Sequence, residues 1–384
     1  MIKTIGILGA GQLARMLAQA GQPMGLEFVF LDPATDACAA EFGEHICADW
    51  DDEAALEKLG RHSDVVTFDF ENVPESSASL IESLCPVFPP PRALYKSQDR
   101  LREKSMLQEL GIPVASFQPV SSRPDLIAAV EEIGLPCVLK TRRFGYDGKG
   151  QAVLRFQEDM ERAWQAIGDF ELICEAFVPF DLECSIIAAR GNDGQTVFWP
   201  LTRNLHRDGI LAVSRVPAFD RQLQERAENL IQRLLDHLDY TGVMALELFL
   251  KDDELLANEF APRVHNSAHW TIDGAKVSQF ENHLRAICGL PLGDAGTSLH
   301  TLMFNLLGEM PDCSNQLSPD QHPIAGLHWH DYHKTARGGR KIGHVTVTAD
   351  NDAELRARAA QLAGKLGVAA ELNLEAILVQ DTTL

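Results

Sequence analysis

Two apolar runs separated by a cluster of charges constrain this chain more than any other feature. Val243-Met244-Ala245-Leu246-Glu247-Leu248-Phe249-Leu250 stops at Lys251-Asp252-Asp253-Glu254, and the chain returns through Asn258-Glu259-Phe260-Ala261-Pro262. Runs this rich in apolar side chains, broken by so charged a turn, predict a β-hairpin, which sets Glu247 and Glu259 on adjacent strands. A buried carboxylate in each arm needs a compensating charge. A magnesium ion meets that need, because it takes oxygen ligands, retains several waters and bridges one or two carboxylates to nucleotide phosphates. Arg263 and His265, just beyond the second arm, are placed to hold an anionic reactant. The pair points to ATP chemistry, with Glu247 and Glu259 as the metal ligands. Two isolated glutamates are more often simply solvated at a sheet edge, so other motifs must carry the reading.

With 384 residues and 45% apolar content the chain can bury a core in each of two or three domains. A formal charge of −21 repels phosphate backbones, so nucleic acid is not an expected partner and any anionic ligand must be met by a local cationic pocket. The eight cysteines form no CxxC pair and several sit in apolar runs, as small hydrophobes do in a reducing cytosol. The apolar stretch at the N-terminus is too short for a signal peptide, and no span approaches the roughly eighteen apolar residues a membrane helix needs. A soluble, unprocessed, cytoplasmic protein is expected.

Residues 2–8 predict a buried strand, Gly9-Ala10-Gly11-Gln12-Leu13-Ala14 a glycine turn, Arg15 to Gly21 a helix and Phe28 to Leu31 the next strand. With a further strand at Val65 to Phe70, residues 1–95 form a small doubly wound α/β domain, bounded by Pro89-Pro90-Pro91. One charged helix is predicted from about Lys96 to Leu110, then short strands and helices to about residue 290. From Thr297, two strand-like runs around residues 325–330 and 341–347 precede a helix from Asp352 to Leu366, a third, β-rich domain.

Gly9 to Ala14 follows a strand and opens a helix, and Asp32 ends the next strand. That pattern fits dinucleotide binding, with Asp32 on a ribose hydroxyl, as well as it fits a plain strand-to-helix turn. A nicotinamide-dependent oxidoreductase is the alternative it leaves open. Further on, Pro136-Cys137-Val138-Leu139-Lys140-Thr141 is a strand that ends in a lysine, followed by Gly145-Tyr146-Asp147-Gly148-Lys149-Gly150-Gln151 as a glycine-rich hairpin loop. Lys140 supplies a point charge for phosphates, and the glycines let backbone amides approach anionic oxygens. The strands around Leu172-Ile173-Cys174-Glu175-Ala176-Phe177-Val178 and Asp181-Leu182-Glu183 fit an adenine site with Glu183 on a ribose hydroxyl.

These landmarks, with Phe70-Glu71-Asn72-Val73-Pro74, Asn204 to Leu211, Asn258 to His269 and Gly339-Arg340-Lys341-Ile342-Gly343-His344, resemble the ATP-grasp enzymes, and within them those that carboxylate an aminoimidazole ribonucleotide in purine synthesis. The resemblance runs nearly end to end. It implies α/β and α+β architecture: a pre-ATP-grasp domain, an ATP-grasp lid (about residues 110–175) and core over residues 96–296, and a C-terminal domain over 297–384. It implies magnesium, or manganese in its place, with ATP, bicarbonate and 5-aminoimidazole ribonucleotide as small-molecule partners, and a homodimer. It assigns Lys104 and Lys140 to the ATP phosphates and the loop Gly145 to Gln151 to their cover. Glu175, Ala176, Phe177, Val178, Glu183, His206 and Asn258 fall to the nucleotide, and Glu247 and Glu259 to the metal. Arg263 falls to bicarbonate. Gln12, Leu13, Glu71, Tyr146, Asp147, His265 and Asn266 would surround the aminoimidazole, with Lys334, Arg337 and Arg340 on its ribose phosphate. Lys140, Asp147, Arg263 and His265 are the expected catalytic set. The glycine turn then binds the ribonucleotide and Asp32 need not touch a ribose. Phe144 and Ala268 stand where glycine is usual in the family, leaving every proposed charge in place.

Overall fold

The computed structural model describes residues 2–145, 149–311, 324–366 and 377–378. Tyr146, Asp147 and Gly148 therefore lie outside the described residues, as does Cys313. The N-terminal part is a four-stranded parallel sheet in the order Glu44–Ile46, Glu27–Leu31, Thr4–Leu8, Val65–Phe68. Its three longer strands are largely buried apolar runs, as expected when helices cover both faces of a parallel sheet. The helix after the first strand begins at Gln12, so Gln12, Leu13 and Ala14, expected in the turn, belong to it. The cause is Asp69: its Oδ2 accepts from the backbone N of Gly11 (2.9 Å) and Ala14 (3.1 Å), satisfying amide groups that a helix start leaves open. Gly9 is required there. Its φ is +112°, and a Cβ would fall 1.6 Å from Asp69 Oδ1.

The predicted charged helix from Lys96 to Leu110 is instead two, Pro91–Ser97 and Arg100–Glu109. Asp99 breaks it. Its carboxylate accepts from the N–H groups of Leu101 (3.0 Å) and Arg102 (3.3 Å), which makes it the cap of the second helix, and Arg142 pairs with it at 2.8 Å. A four-stranded antiparallel sheet follows, ordered Phe117–Val120, Leu172–Ala176, Cys137–Thr141, Gln151–Leu154. Lys140 is paired with Gln151 at the mouth of the glycine loop, so the predicted hairpin has its two arms.

The largest sheet runs Glu254–Ala261, Gly242–Lys251, Leu182–Arg190, Thr202–Arg207, Ile210–Val216, His300–Leu307, Lys341–Ala349, Leu327–Asp331, with Thr196–Phe198 added beside Leu182–Arg190. The strands after residue 296 thus extend the sheet begun at residue 182, through the antiparallel pairing of Ile210–Val216 with His300–Leu307. Two of its hairpins turn on two residues with positive φ, Asp252-Asp253 (49° and 63°) and Asp208-Gly209 (50° and 77°). Aspartate and glycine are the residues that tolerate such a turn. One sheet face packs on the helix Arg221–His237, whose buried Leu223, Ala227, Leu230, Ile231, Leu234 and Leu235 recur at helical spacing. The other faces the helices Gln12–Gly21 and Gln279–Ile287, which join the N-terminal part to the sheet in one apolar cluster. Among the described residues no helix is long and apolar enough to cross a membrane.

Candidate active site

Glu247 and Glu259 are register partners on the two arms of the hairpin, with a bulge between Glu247 and Leu248. Each carboxylate has its own cation. His265 Nε2 lies 3.0 Å from Glu247 Oε1, and Arg100 Nη1 lies 2.8 Å from Glu259 Oε2. Burial would raise the Glu247 carboxyl, but His265, His206 and Arg263 outweigh it and hold the group well below the usual carboxylate range. It is ionised at neutral pH. His265 is clamped twice: its Nδ1 sits 2.9 Å from Ser267 Oγ, and Gln279 accepts from its backbone N (2.8 Å) and donates to its carbonyl (2.7 Å). Beside it, both side-chain amide atoms of Asn266 are buried without a hydrogen-bond partner, the state expected of a group that waits for a ligand.

Arg100, Glu103 and Lys104 come off one face of the helix Arg100–Glu109, at the i, i+3 and i+4 spacing that sets side chains together. Lys104 and Lys140 converge on Glu175 Oε2 at 3.4 and 2.9 Å. Burial opposes ionisation of Glu175, but Lys104, Lys140 and Arg100 overcome it and bring the carboxyl down to about 2. Burial also lowers Lys140, with Glu175 opposing and the neighbouring Lys104 and Arg100 adding to the effect. Two lysines against one carboxylate, with Arg100 nearby on Glu259, make this a positive pocket in an acidic protein, and Glu175 Oε1 is a buried acceptor without a partner. Across the sheet, a bulge between Leu205 and His206 turns His206 toward Glu183, with Nδ1 2.9 Å from the carboxylate. Burial lowers His206, but Glu183, Glu247 and Glu259 raise it above its ordinary value.

The acid limb of stability should follow from Glu175 and Glu247. Both carboxyls are depressed in the fold, so their contribution is complete above the ordinary value near 4.5 and is lost as pH falls toward about 2. Urea unfolding measured across that window should show stability falling with pH, and Glu175→Gln should flatten the slope. An unchanged slope would contradict the assignment.

On the N-terminal side, Lys334 Nζ donates to Gln12 Oε1 at 2.6 Å, joining residues 322 positions apart. Burial, then the charge of Arg340, lowers Lys334, while Cys38 and Asp69 oppose. Arg263 Nη2 lies 3.0 Å from Glu71 Oε2. Arg340 donates to the Thr335 carbonyl (3.0 Å), and Arg337 is exposed. The Leu13 side chain is buried in the apolar cluster, which leaves its backbone alone available to a ligand. Asp32 accepts from the backbone N of Ala10 (2.9 Å) and Ala34 (2.8 Å) and so braces the glycine turn. Ala176 ends the strand next to Glu175 and Phe177 and Val178 follow it, with the Arg155 guanidinium 5.7 Å from the Phe177 ring centroid. Asn258 is partly buried next to Glu259, and Lys149, Gly150 and Gln151 close the loop, with Gly150 accepting from Thr141 N at 2.8 Å.

Arg100 and Asp69 were not singled out from the sequence. Besides Glu259, Arg100 reaches the Gly145 carbonyl at 3.4 Å and so ties the carboxylate pair to the glycine loop. The signal was its spacing from Lys104. Glu103 is a third: it accepts from Phe260 N at 2.7 Å, and burial with the charge of Glu259 lifts its carboxyl to about 8.

The pre-ATP-grasp domain of ribonucleotide synthetases matches residues 2–98, the ATP-grasp domain residues 105–280, and the C-terminal domain of phosphoribosylaminoimidazole carboxylase residues 301–358. N5-carboxyaminoimidazole ribonucleotide synthase of Pseudomonas aeruginosa is 49% identical over 358 residues, 93% of this chain and 98% of that protein. The chain belongs to the N5-carboxyaminoimidazole ribonucleotide synthase family. Like the rest of the family it is an ATP-grasp ligase. The crystal structure of the Thermus thermophilus synthetase superposes with a TM-score of 0.89 at 47% identity, covering 94% of this chain and 98% of that one. The synthase of Aspergillus clavatus, solved with ADP and 5-aminoimidazole ribonucleotide, gives a TM-score of 0.87 at 28% identity over 95% of this chain and 98% of that one. The ATP-grasp architecture expected from the motifs is therefore the family's, and ATP is its co-substrate.

At Phe144 the backbone has φ at 61°, the left-handed region that favours glycine, with the ring exposed and the Arg143 guanidinium 5.4 Å from its centroid. Ala268 is fully buried.

Proposed function

We propose that this protein uses ATP and bicarbonate to carboxylate the exocyclic amine of 5-aminoimidazole ribonucleotide, giving N5-carboxyaminoimidazole ribonucleotide, ADP and phosphate. The observation that carries the reading is Glu247 facing Glu259 in register, flanked by His265 and Arg100 and backed by the Lys104–Lys140 pocket.

Two hard carboxylates on facing strands, one held ionised by its neighbours, fit a magnesium ion, with manganese as a substitute. Glu247 and Glu259 would hold it, and when bound it would neutralise charge on the transferring phosphoryl group. Lys104 and Lys140 take the ATP phosphates, and Glu175, Ala176, Phe177, Val178, Glu183, His206 and Asn258 surround the nucleoside. The loop Gly145 to Gln151 covers the phosphates, with Arg100 on the Gly145 carbonyl. Bicarbonate oxygen attacks the γ-phosphorus, ADP leaves, and carboxyphosphate forms. Arg263, oriented by Glu71, and His265, clamped by Gln279, hold the anion on one side of the transferred group. Carboxyphosphate hydrolyses unless water is kept out, which the covering loop accomplishes. The amine then takes the carboxyl, directly or as CO₂, and phosphate departs. Gln12, Glu71, Tyr146, Asp147 and Asn266 position the aminoimidazole, and Lys334, Arg337 and Arg340 its ribose phosphate.

Residues 1–95, 96–296 and 297–384 are then the ribonucleotide, nucleotide and closing units, in a cytoplasmic homodimer that light scattering can test. Carbon-labelled bicarbonate should appear in the ribonucleotide product, and formate should not replace it. Label that never leaves bicarbonate overturns the reading. Lys334→Ala is expected to raise the ribonucleotide KM by about tenfold or more, the scale of one charge-assisted contact. The KM for ATP should not move, and an effect on ATP alone would contradict the placement.

A further inference from the structure

Away from the carboxylate pair, the C-terminal strands carry a histidine cluster that the reaction does not use. His330 and His344 are direct register partners on Leu327–Asp331 and Lys341–Ala349, and their rings stack 4.3 Å apart. The short helix Thr271–Gly274 brings Asp273 against them, with Oδ2 2.8 Å from His330 Nε2 and Oδ1 3.5 Å from His328 Nδ1. One ligating atom from each of Asp273, His330 and His344 lies within 4.8 Å of the others.

We propose that Asp273, His330 and His344 form a second metal centre, for a divalent transition-metal ion of the zinc, cobalt or nickel class. His344 carries the inference furthest. It is fully buried, and its Nε2 has no hydrogen-bond partner. Its Nδ1 lies 2.7 Å from the Tyr332 hydroxyl, so a proton held on Nδ1 and donated to that oxygen leaves the Nε2 lone pair free. That is how a metal-binding histidine is usually held, with its second nitrogen spoken for. Two imidazoles and one carboxylate suit a borderline metal and not magnesium, whose preference is for oxygen alone. A water would complete a four-coordinate set, since His328 reaches only the far oxygen of Asp273. The rings stand 14° from parallel, so ligation turns one of them about its last torsion, which has broad wells in histidine. A cavity of about 280 Å³ adjoins the cluster, with Arg15, Gln19, Trp329, His330, Tyr332 and His333 among its lining residues.

The centre is separate from Glu247 but mechanically linked to it. The His344 ring lies 5.2 Å from that of His269, whose Nδ1 is 3.2 Å from Gln279 Nε2, the amide that clamps His265. A bound ion would pin the strand pair to the turn that carries this clamp.

The test is a titration of the chelator-stripped full chain with Co²⁺, followed by its visible absorption, and with Zn²⁺ by calorimetry, both in excess Mg²⁺. One equivalent of each should bind, with a low-symmetry cobalt spectrum. Asp273→Asn and His330→Gln, checked for fold by circular dichroism, should each weaken binding by at least about tenfold, and Glu247→Gln should not. No saturable binding in Mg²⁺ overturns the proposal. So does binding that survives both substitutions, or that disappears in Glu247→Gln, because the ion then sits elsewhere.

Discussion

Glu259→Gln is expected to lower kcat by at least about three orders of magnitude, because it removes a charged metal ligand that acts where transition-state charge develops. The protein should stay folded. The substitution keeps the shape and strips the charge, so Arg100 loses the partner it holds at 2.8 Å. Glu103 is positioned to take over. Its carboxyl stands at about 8 because of burial and the nearby charge of Glu259, and when that charge goes its affinity for a proton falls, which favours ionisation beside Arg100. Initial rates across a magnesium series, with urea unfolding alongside, check both halves. Activity within tenfold of the parent would remove Glu259 from the metal site.

The second large effect belongs to stability. Glu175→Gln is expected to destabilise the free protein by about 3 kcal/mol, the scale for removing one partner of a buried ion pair. Lys104 is 1% exposed and Lys140 lies beside it, and the same carboxylate oxygen serves both. Without it two ammonium groups face each other in a pocket with little water. The loss should be largest near neutral pH and shrink as pH rises, because Lys140, already lowered by burial, loses the carboxylate that opposes that lowering and is neutral above its folded value. ATP should restore more stability to the variant than to the parent, since its phosphates supply the missing negative charge. Urea unfolding with and without ATP measures this. An equal gain in both proteins would place the phosphates away from Lys104 and Lys140.

What the chain disclosed and what it concealed divide along sequence distance. The hairpin carrying Glu247 and Glu259 was legible because both arms are apolar and the charged run between them favours a turn, which Asp252-Asp253 make. The lysine strand and glycine loop were legible for the same local reason. The break at Asp99 was not, because a charged run without proline or glycine reads as one continuous helix, although the cap itself is a local contact with Leu101 and Arg102. Arg100 and Glu103 lay unremarked in the predicted charged helix, yet the strand Glu254–Ala261 bonds to both. Asp69 read as the end of a strand. Its grip on the glycine turn exists only because Thr4–Leu8 and Val65–Phe68 pair in parallel with Leu8 opposite Phe68. The histidine cluster was hidden likewise, since His330 and His344 meet through strand register and Asp273 arrives from a separate turn.

Phosphate release from ATP, measured with magnesium while bicarbonate and 5-aminoimidazole ribonucleotide are added singly and together, tests the central claim most directly. The carboxylate pair and its cationic pocket predict a rate that needs the metal and rises steeply only when both acceptors are present. A rate indifferent to bicarbonate, or one undiminished by chelation of the metal, would contradict it.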